Sequence, residues 1–144
     1  MSFIKIWIHL VWSTKNREPL MLENIRPKIF AHIKENARFK NIHVDFVNGH
    51  LEHIHCLISL NSTQNIASVS QLLKGESAYW INKNNICSKK LEWQDDYFAV
   101  SVSESGVDKV REYIKNQEEH HRKKTFKEEY DEFMKKYGFN LMNG

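Results

Sequence analysis

The chain has 144 residues, of which 41% are hydrophobic and 12% aromatic, enough apolar material for one core and too little length for two ordinary domains. Five Gly and two Pro exclude a low-complexity or collagen-like chain. Twenty-one Lys and Arg against 18 Asp and Glu leave a net charge of +3, which suits an anionic partner without demanding one.

The opening stretch, Phe3 to Ser13, alternates Ile4, Ile6, Ile8 and Leu10 against Phe3, Lys5, Trp7 and His9. This pattern predicts a first strand with its aliphatic face inward. The apolar run Ile6 to Trp12 is interrupted by His9, is too short to span a bilayer and has no cleavage site after it, so no membrane or export segment is expected. Beyond Lys15, Asn16, Arg17 and Pro19, the residues Leu22, Ile25, Ile29, Phe30, Ile33 and Ala37 recur at helical spacing. Asn24 is the expected cap, and Pro27 is tolerable only in the first turn.

A strand at about 43–49 runs through Asn48-Gly49, read as a tight turn, into a third strand at about 51–60. On that third strand Ile54, Cys56, Ile58 and Leu60 share one face, and His53, His55, Leu57 and Ser59 share the other. A helix follows over about 65–81, carrying Ile66, Val69, Leu72, Leu73 and Trp80 on its apolar side, then a polar loop over 82–90. Cys56 and Cys87 form no C-x-x-C arrangement, which points away from disulfides and thiolate clusters and towards a reducing, cytoplasmic setting.

Trp93 precedes a fourth alternating stretch, Tyr97 to Ser103. Ser105 and Asp108 have the spacing of a capped helix start, predicting a helix to about Glu119. Thr125 and Glu128 repeat that logic for a last helix closed by Gly138. The order β-α-β-β-α-β followed by two helices predicts one α+β domain over 1–144, a ferredoxin-like antiparallel sheet with two C-terminal helices free to cover its second face.

Two constellations carry chemistry. His53 and His55, at i and i+2 of a strand, project from one face and can chelate a divalent ion. Tyr113 and Gln117, four apart on a helix, stack on one face; if that helix crosses the polar face of the sheet, the Gln117 carboxamide oxygen becomes a third ligand with Tyr113 one turn away. A phenol beside a cation suits attack on a phosphate. Separately, each pair is more often an ordinary solvated or core feature.

The motif set as a whole resembles the His-hydrophobe-His (HUH) endonucleases, and within them the small single-tyrosine transposases of bacterial insertion sequences. The resemblance rests on Val11-Trp12-Ser13-Thr14-Lys15 with Arg17, Glu52-His53-Ile54-His55, Leu73-Lys74-Gly75 with Ser77, Trp93 with Tyr97, and Tyr113-Ile114-x-x-Gln117. It implies that His53, His55 and Gln117 bind Mg²⁺ or Mn²⁺, and that Tyr113 cleaves and rejoins single-stranded DNA, with hairpins at the element ends, through a 5′-phosphotyrosine bond. It further implies a homodimer in which the tyrosine helix of one subunit can complete the histidine pair of the other, with Ser105-Gly106 as a flexible lead into that helix. Glu52 stands where the family often has Asp, and its role is left open.

Lys15, Arg17, Arg122, Lys123 and Lys124 are candidate DNA contacts, and His121, four residues beyond Gln117, is a candidate neighbour of the site. Tyr79, Trp80 and Trp93 can stack on bases but are more often core at such spacing. Competing readings are a non-catalytic or domesticated single-strand binding module of the same fold and a metal-dependent hydrolase using water.

Overall fold

Alternation along the strands sets the layering. Residues 2–139 are described by a computed structural model, in which β1 (Ile6–Ser13), β2 (His43–Gly49), β3 (His53–Leu60) and β4 (Phe98–Val102) form one antiparallel sheet of order β2-β3-β1-β4. This is the expected ferredoxin-like α+β architecture. Helices α1 (Arg26–Phe39) and α2 (Ile66–Lys83) cover one face, where Leu10, Trp12, Ile54, Cys56 and Ile58 meet Ile29, Ile33, Val69, Leu73 and Ile81 in the main core. The opposite face carries Trp7, His9, Val11, His53, His55 and Leu57 and is covered by α3 (Val107–Lys115), α4 (Gln117–His121) and α5 (Phe126–Lys136). Since β3 lies between β2 and β1 and is roofed on both sides, His53 and His55 are completely buried.

Several local expectations change. The first strand begins at Ile6, because Phe3 and Ile4 lie exposed before the first pairing of Ile6 with Leu60. Helix α1 starts after Ile25, with no side-chain cap from Asn24, and Pro27 sits in its first turn as expected. Leu72 is exposed rather than part of the apolar face of α2, whereas Asn65 caps that helix by accepting from the Ser68 N–H. Asn48 and Gly49 belong to β2, and the turn falls one step later, over 50–52. Gly49 is needed there for close approach: a Cβ would lie 2.2 Å from the His53 carbonyl oxygen.

The C-terminal half divides differently from expectation too. Ser105 lies in a short 3-10 turn, Glu104–Gly106, and caps nothing; α3 opens at Val107 and ends at Lys115, with Asn116 between it and α4, so the expected single helix to Glu119 is two. β2 supplies the reason why α3 stops and stays in place. The Asn48 amide donates to the carbonyls of Ile114 (2.9 Å) and Lys115 (3.1 Å), satisfying the helix end. A register irregularity between Val44 and Phe46 accompanies a bidentate contact of Asp45 with Arg111 at 2.7 and 3.0 Å. Thr125 and Glu128 form the expected capping box on α5, and Gly138 takes the left-handed φ of +68° just past its end.

Candidate active site

The polar face of β3 and the three C-terminal helices converge on one buried carboxylate. His53 and His55 direct their Nε2 atoms at Glu129 Oε1, at 3.3 and 3.1 Å. The Gln117 Oε1 atom lies 3.2 Å from His53 Nε2, and the other end of that amide donates to the Tyr113 carbonyl at 3.3 Å, which turns the oxygen towards the histidines. The Tyr113 hydroxyl donates to Glu129 Oε2. Thus β3, α3, α4 and α5 each contribute to a site held within one chain.

The four residues paired from sequence, His53, His55, Tyr113 and Gln117, do come together. His121 joins them, with its Nε2 at 3.1 Å from Gln117 Oε1 and 3.6 Å from Glu129 Oε1. Two members were missed. Glu129 is 1% exposed and lies on the α5 face that also carries Phe126 and Phe133, so an acid in an apolar i, i+3, i+7 stripe was the available signal. His120, whose Nε2 is 3.1 Å from Glu129 Oε2, had no comparable signal.

Behind the histidines lies a set of orienting partners. His53 Nδ1 donates to Glu52 Oε1 at 2.8 Å, giving Glu52 the outer position that sequence left open. His55 Nδ1 meets His9 Nε2 at 2.8 Å across the sheet. His9 shares its strand face with the buried Trp7 and Val11, which is the signal by which a buried imidazole could have been found. The ring of Phe126 stacks on His53, with centroids 4.1 Å apart and planes 11° apart.

The electrostatics follow from this packing. Burial pulls the His55 pKa down to about 4 and that of His9 to about 3, keeping both neutral with lone pairs available. Burial also works against a charged His53, but hydrogen bonds to Glu129 and Glu52 outweigh it and raise its pKa. Burial alone would raise the Glu129 pKa; its contacts with His121, His53 and His55 instead hold it far below the ordinary carboxylate range. Burial, the charge of Glu129 and their hydrogen bond together push the Tyr113 phenol well above 10.

This donor set fits a divalent ion. His53, His55 and Glu129 offer two imidazole nitrogens and a carboxylate oxygen within 4.8 Å of one another, and Gln117 adds a neutral oxygen. The carboxylate now holds together nitrogens that would otherwise face an empty centre, and an ion would replace those contacts with ligand bonds.

The candidate DNA-contacting cations are more dispersed. Lys15 pairs with Glu92 at 3.3 Å and Arg122 with Glu119 at 2.8 Å, Lys124 pairs with Glu132, and Lys123 is exposed. Arg17 instead lies over the rings of Phe126 and Tyr130, 5.4 Å from each centroid. Of the three aromatic candidates, Trp93 is core and donates to Ser77 at 3.1 Å, Trp80 stacks on His32, and Tyr79 is exposed. Among the described residues no helix is long and apolar enough to cross a membrane.

Residues 2–117 match the family of IS200-like transposases. The chain belongs to that family, and hence to the DNA-processing enzymes of the transposase class. Among solved structures it is similar to a candidate transposase from Deinococcus radiodurans R1, at 20% identity and a TM-score of 0.63 over 81% of this chain and 93% of that one. It is also similar to a REP-associated tyrosine transposase bound to a REP hairpin, at 17% identity and a TM-score of 0.62 over 84% of this chain and 72% of that one. No curated protein matches. The family match ends at Gln117, so His120, His121 and Glu129 lie beyond it.

Proposed function

We propose that this transposase cleaves and rejoins single-stranded DNA at hairpin-marked element ends, with Tyr113 as nucleophile and Mg²⁺ or Mn²⁺ held by His53, His55, Gln117 and Glu129. The observation that carries the reading is the hydrogen bond from the Tyr113 hydroxyl to the same carboxylate that faces both histidines. The similar hairpin-bound tyrosine transposase supports a hairpin substrate.

An ion held by His53, His55, Gln117 and Glu129 would supply positive charge to polarise the scissile phosphate. The protein's own groups do the rest. His53 and His55 are held with Nε2 inward by Glu52 and His9. The Tyr113 oxygen attacks phosphorus as its proton is released to water, the bond from phosphorus to the 3′-oxygen of the preceding nucleotide breaks, and that oxygen takes up a proton from water, leaving a 5′-phosphotyrosine and a 3′-hydroxyl. Attack by a second 3′-hydroxyl reverses the exchange, so no ATP is consumed. The homodimer implied by resemblance is an additional expectation, because one chain here supplies tyrosine, glutamine and both histidines.

The test uses labelled single strands bearing the DNA that flanks the gene, incubated with protein and Mg²⁺ or Mn²⁺ and resolved under denaturing conditions. A metal-dependent protein–DNA adduct that disappears in Tyr113→Phe is expected. An adduct persisting in Tyr113→Phe overturns the nucleophile, and hydrolysed product without any adduct overturns the tyrosine mechanism.

A further inference from the structure

Several motif residues that take no part in the histidine site surround a separate cavity. Where β1 runs on past the start of β4, a cavity of about 850 Å³ opens at the sheet edge, within the range of about 300–1,000 Å³ typical of ligand sites. Tyr97, Phe98, Phe126 and Tyr130 line it with aromatic surface, and Arg17 lines it with a cation. We propose that this cavity binds an unpaired nucleotide of the single-stranded DNA substrate, its base against the exposed rings of Tyr97 and Tyr130 and its phosphate at Arg17.

Four independent features favour a nucleotide over a simple apolar ligand. The Arg17 guanidinium lies over the rings of Phe126 and Tyr130, 5.4 Å from each centroid, which sets a hydrogen-bond donor for phosphate beside aromatic surface. Asn16 and Arg17 both adopt left-handed backbone angles, φ 58° and 56°, a costly conformation that brings two polar residues to the lining. Trp12 also lines the cavity, and its buried indole N–H has no acceptor among the described residues, whereas the Trp7 and Trp93 indoles have theirs. Lastly, Lys74 donates to the carbonyls of Gln94 (2.6 Å) and Asp95 (2.9 Å), holding in place the loop that carries Tyr97.

The cavity adjoins the chemistry. Ser13, in its lining, is the cross-strand partner of His53, and Phe126 separates Arg17 from the His53 ring on which it stacks. A nucleotide seated here sets the register of the strand beside the histidines. The proposal rests on single-stranded DNA being the substrate.

Its test uses a fluorescent random-sequence pool of single strands of about twelve nucleotides, and a matched strand with abasic sites throughout, titrated in EDTA. Wild type is expected to prefer the base-containing pool by about fivefold to a hundredfold, the range that stacking supplies. Tyr97→Ala, at a partly exposed position that tolerates truncation, should lose that preference; Arg17→Ala should weaken both strands. The pool with 5-iododeoxyuridine in place of thymidine should photocross-link to peptides 93–99 or 126–134. Retained preference in Tyr97→Ala, or cross-links confined elsewhere, overturns the proposal. Base-dependent binding by a wild type that forms no Tyr113 adduct retains the cavity and loses the tyrosine chemistry; adduct formation with Tyr97→Ala and Arg17→Ala binding as wild type loses the cavity alone.

Discussion

The two faces of the sheet are made from alternate residues of the same strands and serve opposite ends. Beneath α1 and α2, Ile54, Cys56 and Ile58 are buried among aliphatic and indole side chains. Beneath α3 to α5, the intervening His53 and His55 are equally buried, yet their neighbours are His9, Gln117, Tyr113 and Glu129. Burial is the same, but on one face it stabilises by removing apolar surface from water, and on the other it desolvates polar groups that must find partners or an ion. A one-residue shift of β3 would exchange the two sets, so the apolar face also sets which side chains meet Glu129.

The comparison breaks most directly at Ile54, between the two histidines and facing away from them. Ile54→Ala should cost about 2–5 kcal/mol of stability in urea unfolding, with Mn²⁺ affinity of the folded protein near wild type. A lost metal site in folded Ile54→Ala would mean that the faces are not separable.

Acid probes the opposite face. His55 and His9, with folded pKa values of about 4 and about 3, bind fewer protons folded than unfolded, so stability should fall as pH drops below 6.5 towards 4. His53, whose pKa is raised, binds more protons when folded and opposes this trend. The His55 contribution alone amounts to at most about 3 kcal/mol. Thermal melting in EDTA across this range checks it, and His9→Phe should flatten the curve. Cys56, on the apolar face, is silent in this window because burial pushes its thiol pKa upward.

How much of this was legible follows the range of the interactions. Strand alternation and helix periodicity are local, so the sheet, both crossover helices and the Thr125 capping box could be read directly, as could the face shared by His53 and His55. The Tyr113–Gln117 pair was legible as helical spacing, although Asn116 breaks that helix and the amide of Gln117 spans the break. Glu129 was legible only as an acid in an apolar stripe, because its partner His55 is 74 positions away and its neighbour Glu128 is an ordinary capping acid. Asn48 was misread for a related reason: Asn-Gly suggests a turn, whereas its amide is engaged by carbonyls 66 and 67 positions later.

The outer partners should have smaller effects than the core. Glu52→Ala leaves His53 without its Nδ1 acceptor, and metal affinity should fall by about 10–100-fold in calorimetric titration, with unfolding in EDTA changed far less. Unchanged affinity would reduce Glu52 to a surface acid that happens to lie near His53.

The smallest expected effect tests whether Glu129, which lies outside the family match, depends on its own helix. Thr125 caps α5 through the Glu128 N–H, and Glu129 is the next residue along. Thr125→Ala should lower stability by about 1 kcal/mol, and fraying of that first turn should loosen Glu129 and free the Tyr113 hydroxyl more often. Metal affinity should therefore drop a few-fold, while the initial rate of adduct formation at saturating metal is maintained or rises. If that rate instead collapses with metal saturated, Glu129 is needed at the tyrosine during attack, and the contact between them is part of the chemistry, not a resting arrangement that the substrate displaces.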